Sequence, residues 1–154
     1  MVRRWMYALS LLVVMLCIIS CGNHYYIEND LHGMWQVSSV EDLMTDEVFD
    51  AKGELYYMFQ RSMVLLYYKQ QYANSGNERY ISHVDVVGED SLRIGYFRVY
   101  TTGEGDLVNQ EVKVSLDRLR KFGLYDEYTT FRMDYTKQKL ILASDSARIV
   151  LRRY

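Results

Sequence analysis

Thr129-Thr130-Phe131-Arg132-Met133-Asp134-Tyr135 sets Thr129, Phe131, Met133 and Tyr135 against Thr130, Arg132 and Asp134. A period of two belongs to an extended strand, whose side chains leave opposite faces in turn. One face of this segment is therefore suited to a core and the other to water. Downstream, residues 140–143 and 147–153 continue the pattern around the turn Ser144-Asp145-Ser146. Upstream, residues 34–40 put Trp35 and Val37 on one face. Residues 55–60 and 63–68 are apolar on both faces and split by Arg61-Ser62, which predicts two buried or sharply bent strands. Residues 80–87 and 92–100 form a predicted hairpin around Gly88-Glu89-Asp90. Residues 41–53 are acidic and turn-rich, Asn74-Ser75-Gly76-Asn77 is a turn, and residues 102–106 are a loop.

The single helical signal is residues 115–122, where Ser115 is placed to cap, Leu116 and Leu119 share a face, and Gly123 is placed to terminate. About eight short strands, with one short helix before the last three, predict an all-β antiparallel barrel. Closure removes exposed edges, and eight strands leave an interior filled by side chains or by one small ligand.

The chain opens with Met1-Val2-Arg3-Arg4, then an apolar run to Ile19, then Ser20-Cys21. A positive start, an apolar stretch too short for a membrane span and a small residue before the cut make a secretory signal. The cysteine directly after Ser20 resembles the site at which bacterial lipoproteins are acylated and cleaved. The expected organisation is a signal peptide over residues 1–20, a lipidated tether over 21–30 beginning at Cys21, and a barrel domain over 31–154. Gly22, where inner-membrane retention would use aspartate, resembles outer-membrane sorting. The expected partner through the anchor is thus the membrane, and the expected place is the outer membrane of the cell envelope.

Removing 20 of the 154 residues leaves 134, an ordinary single-domain length. Arg3 and Arg4 go with them, so 16 basic residues face 20 acidic ones, which argues against nucleic acid. Cys17 leaves as well, and Cys21 remains as one thiol, committed to lipid, with no disulfide available. Proline is absent and tyrosine occurs 15 times, a composition suited to uninterrupted ladders and pleated surfaces.

Gly33-Met34-Trp35, opening the first strand, resembles the Gly-x-Trp signature of lipocalins. The whole mature chain is similar to small lipocalin-like lipoproteins of Bacteroides-type bacteria, through residues 31–36 and 57–60, Leu119-x-x-Phe122-Gly123-Leu124 and the closing Leu151-Arg152-Arg153-Tyr154. The resemblance implies a lipocalin-like binding barrel. It further implies that Trp35 plugs one end, with Gly33 beside it and Arg152 or Arg153 packed over the indole. The expected interior includes Trp35, Val37, Tyr57, Phe59, Leu65 and Tyr67. From the later strands it includes Leu92, Ile94, Tyr96, Phe131 and Met133. These side chains either line a small apolar or amphipathic ligand or are plain core. An alternative is a filled barrel acting as an interaction module for an envelope protein, carried by the tyrosines and residues 41–53.

No chemistry-bearing constellation emerges. His24 lies in the tether and His32 before the first strand, while His83 shares a strand face with Asp85, as a hydrogen-bonded surface pair would. Zinc needs three or four ligands, and nothing near His83 completes a set. There is no Gly-x-Ser-x-Gly elbow. Glu104 and Asp106 are too few for a calcium loop, and Arg118-Leu119-Arg120-Lys121 fits a solvated helix face. The sequence therefore predicts no enzyme, no cofactor and no metal.

Overall fold

The computed structural model describes residues 31–69, 79–100 and 112–154, and turns the period-two segments into one antiparallel sheet that closes on itself. The strands are β1 (Gly33–Asp42), β2 (Glu47–Asp50), β3 (Leu55–Gln60), β4 (Met63–Tyr68), β5 (Arg79–Val86) and β6 (Ser91–Ile94). Next come β7 (Arg98–Tyr100), β8 (Val112–Lys113), helix α1 (Leu116–Leu119) with a 3-10 turn over Arg120–Phe122, β9 (Thr129–Tyr135), β10 (Lys139–Ala143) and β11 (Ala147–Arg153). The closed ring runs β1-β3-β4-β5-β6-β9-β10-β11 and back to β1, a meander of eight strands. Around the ring the strands follow chain order, with β2 intervening between β1 and β3, and with β7, β8 and α1 between β6 and β9. The seam joins the first strand to the last, where β1 meets β11 with Trp35 opposite Arg153. The predicted turn at residues 74–77, the loop at 102–106 and the segment 1–30 lie outside the described residues.

Two elements differ from expectation. The acidic segment after β1 is a hairpin rather than an irregular loop: β2 pairs with the upper half of β1, and all four of its residues are exposed. The expected strand 92–100 is broken at Gly95-Tyr96-Phe97, so that β6 pairs the lower half of β5 and β7 the upper half. Where the ladder opens, the Gly95 amide donates to the His83 carbonyl at 3.1 Å and the Ser82 hydroxyl donates to the Gly95 carbonyl at 2.8 Å. The backbone groups freed by the break are thereby paired.

Register decides what fills the barrel. Tyr57 lies opposite Leu66, Phe59 opposite Val64 and Leu92 opposite Phe131, so these side chains share the inner face. At the lower end Trp35 has no accessible surface, and its indole Nε1 donates to the Leu31 carbonyl at 2.9 Å. At the upper end Phe122 is driven inward by α1 and the 3-10 turn. Its ring meets those of Tyr57 (6.2 Å) and Tyr80 (6.3 Å) edge-on. Gly123 ends that turn at φ 79°, as expected of glycine there. A Cβ at Gly123 would come within 2.7 Å of Ile149, so small size is needed as well as the left-handed backbone. Ser115 occupies the N-cap position, but its side chain makes no capping bond. A helix of one turn held down by buried Leu119 and Phe122 depends little on its cap.

The Tyr57 hydroxyl donates to the Phe122 carbonyl at 2.5 Å inside the core. Burial pushes this hydroxyl far above the ordinary tyrosine range, so the folded state holds the proton more tightly than the unfolded one. The stability it confers is intact below about pH 10 and is lost as pH climbs beyond. Tyr57→Phe orphans the Phe122 carbonyl and is expected to cost about 1–3 kcal/mol at neutral pH. Its stability should also fall less steeply than the wild type's from about pH 10 upward. Urea midpoints across that range measure both effects, and parallel alkaline limbs would contradict the account.

Candidate functional site

Eight of the eleven residues expected inside the barrel face inward: Trp35, Val37, Tyr57, Phe59, Leu92 and Phe131 at 0 % exposure, Ile94 at 1 % and Met133 at 8 %. Side chains without accessible surface leave no water-sized space beside them, so this set is packed core.

Leu65, Tyr67 and Tyr96 are a correction, because all three lie on the outer wall. Leu65 and Tyr67 pair with Met58 and Tyr56, on the face opposite Val64 and Leu66. Tyr96 follows Leu92 and Ile94 in a simple alternation and would point inward. The break at Gly95 inserts a residue, so Phe97 takes the inner position and Tyr96 turns out.

Around the lower plug, Arg153 is the arginine over the indole: its Cζ lies 4.9 Å from the ring centroid, and its Nη2 donates to the His32 carbonyl at 2.8 Å. Arg152 instead donates through Nε to Gln36 Oε1 at 2.6 Å. Gln36 in turn donates to the Gly53 carbonyl and the Tyr56 hydroxyl, tying β1, β3 and β11 together outside the plug. Gly33 has φ 123°, and a Cβ there would meet the Arg153 guanidinium at 3.4 Å.

The same break that turns Tyr96 outward opens a cleft of about 550 Å³ in the wall between β5, β6 and the start of β9. That is within the usual range of small-molecule sites, about 300–1,000 Å³. Tyr96 and Tyr128 meet edge-on at 6.0 Å, with Arg98 lying 4.9 Å over the Tyr96 ring and hydrogen-bonded to its hydroxyl. Opposite them, Asp85 holds His83 Nε2 at 3.1 Å and Arg93 Nη2 at 3.1 Å. The cleft thus offers two aromatic faces, an aliphatic side from Ile81 and Met63, and two guanidiniums against one carboxylate. Sequence reasoning noticed His83 and Asp85 but missed Arg93, Arg98 and Tyr128. The available signal was Gly95 inside a strand pattern, which marks a bulge. Among the described residues no group of three or more His, Cys, Asp or Glu is placed to hold a metal ion.

A meandering eight-stranded barrel with a tryptophan sealing its lower end defines a lipocalin-like binding fold. The chain belongs to the lipocalin-like domain family, whose model matches residues 14–154. A lipocalin-like protein from Bacteroides uniformis ATCC 8492 has a similar fold, with a TM-score of 0.56 and 16 % identity, over 82 % of this chain and 100 % of that one. An uncharacterized protein from Bacteroides eggerthii DSM 20697 matches with a TM-score of 0.56 and 19 % identity, over 80 % of this chain and 99 % of that one. At such identities the likeness is one of fold. No curated protein matches the chain.

Proposed function

We propose that the protein is a lipid-anchored envelope lipoprotein, acylated at Cys21, whose barrel binds a small amphipathic ligand without catalysing a reaction. The observation that carries the binding reading is the contrast between a packed interior and the wall cleft around Tyr96. Tyr96, Tyr128 and Ile81 suit an apolar or planar body. Arg98 and Arg93 suit an anionic group at its end. The lipobox at Ser20-Cys21 supports the anchor and the outer-membrane address.

The test is native mass spectrometry of the protein extracted from its own envelope. Acyl mass on the N-terminal peptide and a small-molecule mass on the intact protein are the expected results. Tyr96→Ala should lower ligand occupancy about tenfold, the loss of one stacking face worth roughly 1–1.5 kcal/mol. Occupancy unchanged in that variant would remove the cleft from consideration.

A second reading, a protein-interaction module, is favoured by the β1–β2 hairpin. Met44 (64 % exposed), Val48 (66 %) and Phe49 (50 %) stand in water among Glu41, Asp42, Asp46, Glu47 and Asp50. Exposed apolar residues rimmed by charge are typical of an interface. In the same spectra, a bound protein that is lost on Phe49→Ser but kept on Tyr96→Ala would favour this reading over the first.

A further inference from the structure

We infer that the outer face of β3 and β4 is a docking surface for an anionic phospholipid bilayer. The inference rests on the membrane attachment proposed above and adds which side of the barrel meets the membrane.

β3 (Leu-Tyr-Tyr-Met-Phe-Gln) and β4 (Met-Val-Leu-Leu-Tyr-Tyr) contain no charged side chain, on the outward face as on the inward one. Outward positions on a barrel wall ordinarily carry charge, and β9 obeys this with Arg132 and Asp134. Here the outward positions are Tyr56, itself buried at 3 % exposure, and the half-buried Met58, Leu65 and Tyr67. Met58 pairs with both Met34 and Leu65, so these side chains form one continuous surface. They line a groove of about 310 Å³, edged by Tyr154, whose ring meets Tyr56 edge-on at 5.3 Å.

Lys69 and Arg79 complete the lining, and no carboxylate belongs to it. Glu54, whose carbonyl accepts from the Lys69 amide, lies just beyond this rim, and five further carboxylates sit on the β1–β2 hairpin. Methionine and leucine flanked by tyrosines, with long cationic side chains at the rim, match the boundary between acyl chains and anionic headgroups. Tyrosine settles at that boundary, and lysine and arginine reach the phosphates along their apolar stems.

The anchor brings the bilayer to this face. Met34 lies thirteen residues beyond Cys21, a span of at most about 45 Å when fully extended, and its carbonyl accepts from the Tyr154 amide at 3.0 Å. A short tether raises the effective concentration of lipid at the groove, so individually weak contacts suffice to orient the barrel.

The methionines supply the test. The full chain, purified from membranes, is reconstituted into vesicles of phosphatidylethanolamine and phosphatidylglycerol, or of phosphatidylcholine alone, and exposed to dilute peroxide. Met34 and Met58 should oxidise about fivefold more slowly on the anionic vesicles, the order set by headgroup attraction to a basic side chain at the rim. Met44, on the distant hairpin, should oxidise equally on both. Lys69→Glu with Arg79→Glu should return Met58 to its phosphatidylcholine rate. Equal rates for Met58 on the two vesicle types overturn the proposal, whether the face stays in water or is covered by a second copy or another protein. Acylation is read separately, from the mass of the N-terminal peptide. Equal Met58 rates in a chain whose N-terminal peptide carries acyl mass are a failure of the docking face alone, and a missing acyl mass is a failure of the anchor, so the two are distinguishable.

Discussion

Replacing Trp35 by alanine is expected to cost about 3–5 kcal/mol, the upper range for removing a buried aromatic side chain. The indole has no accessible surface, spends its one donor on the Leu31 carbonyl, and supports Arg153 on its ring. Alanine would leave a void at the lower end of the barrel, free the segment at Leu31, and strand a guanidinium that now also holds the His32 carbonyl. A domain of this size retains about 5–15 kcal/mol in total, so the variant should be partly unfolded at modest urea concentrations. Far-UV circular dichroism against urea measures the loss. Trp35→Phe should recover most of it, lacking chiefly the indole hydrogen bond. A loss under about 1 kcal/mol for Trp35→Ala would mean that the plug is not a packing element.

Phe122→Ala should have a comparable stability cost, about 3–5 kcal/mol, but a different signature. Phe122 closes the upper end, between Tyr57 and Tyr80, and its removal leaves an apolar void above an otherwise packed interior. Apolar voids of about 150 Å³ stay dry and take up benzene-sized guests. Benzene should therefore raise the urea midpoint of Phe122→Ala, through binding to the folded state alone, and leave the wild type unmoved. Equal stabilisation of both would show that the native barrel already has room inside. The experiment thus tests the packed interior on which the wall-cleft reading depends.

How much was legible in the sequence follows from these particular residues. The alternation over Thr129–Tyr135 names its own inner face, and the structure agrees side chain by side chain. β4 does not name its face: Val64, Leu65, Leu66 and Tyr67 are all apolar, and a one-residue shift exchanges the two sides. Only pairing with β3, which no single strand encodes, puts Leu66 inside and Leu65 out. Tyr96 was misread for a different reason. Parity holds from Leu92 to Ile94, and the break at Gly95 reverses it. The cleft was illegible for the same reason, because Arg93, Arg98 and Tyr128 converge only once the strand has opened. β2 was hidden by its acidic, turn-like composition. It survives as a strand because β1 is long enough to template it beyond the barrel proper.

The seam between β1 and β11 also has a meaning in time. The other pairings in the ring join strands consecutive in the ring, the widest being β6 with β9 across β7, β8 and α1, so each can form soon after its second strand is available. The seam alone links residues 35 and 153, almost the full length of the domain. As synthesis runs from the N-terminus, Trp35 must wait with its indole uncovered until β11 supplies Arg153 and the Tyr154 amide follows it. The barrel stays uncommitted to its closed form until β11 has been made. Removing β11 should arrest it as an open, sticky sheet rather than yield a slightly smaller barrel.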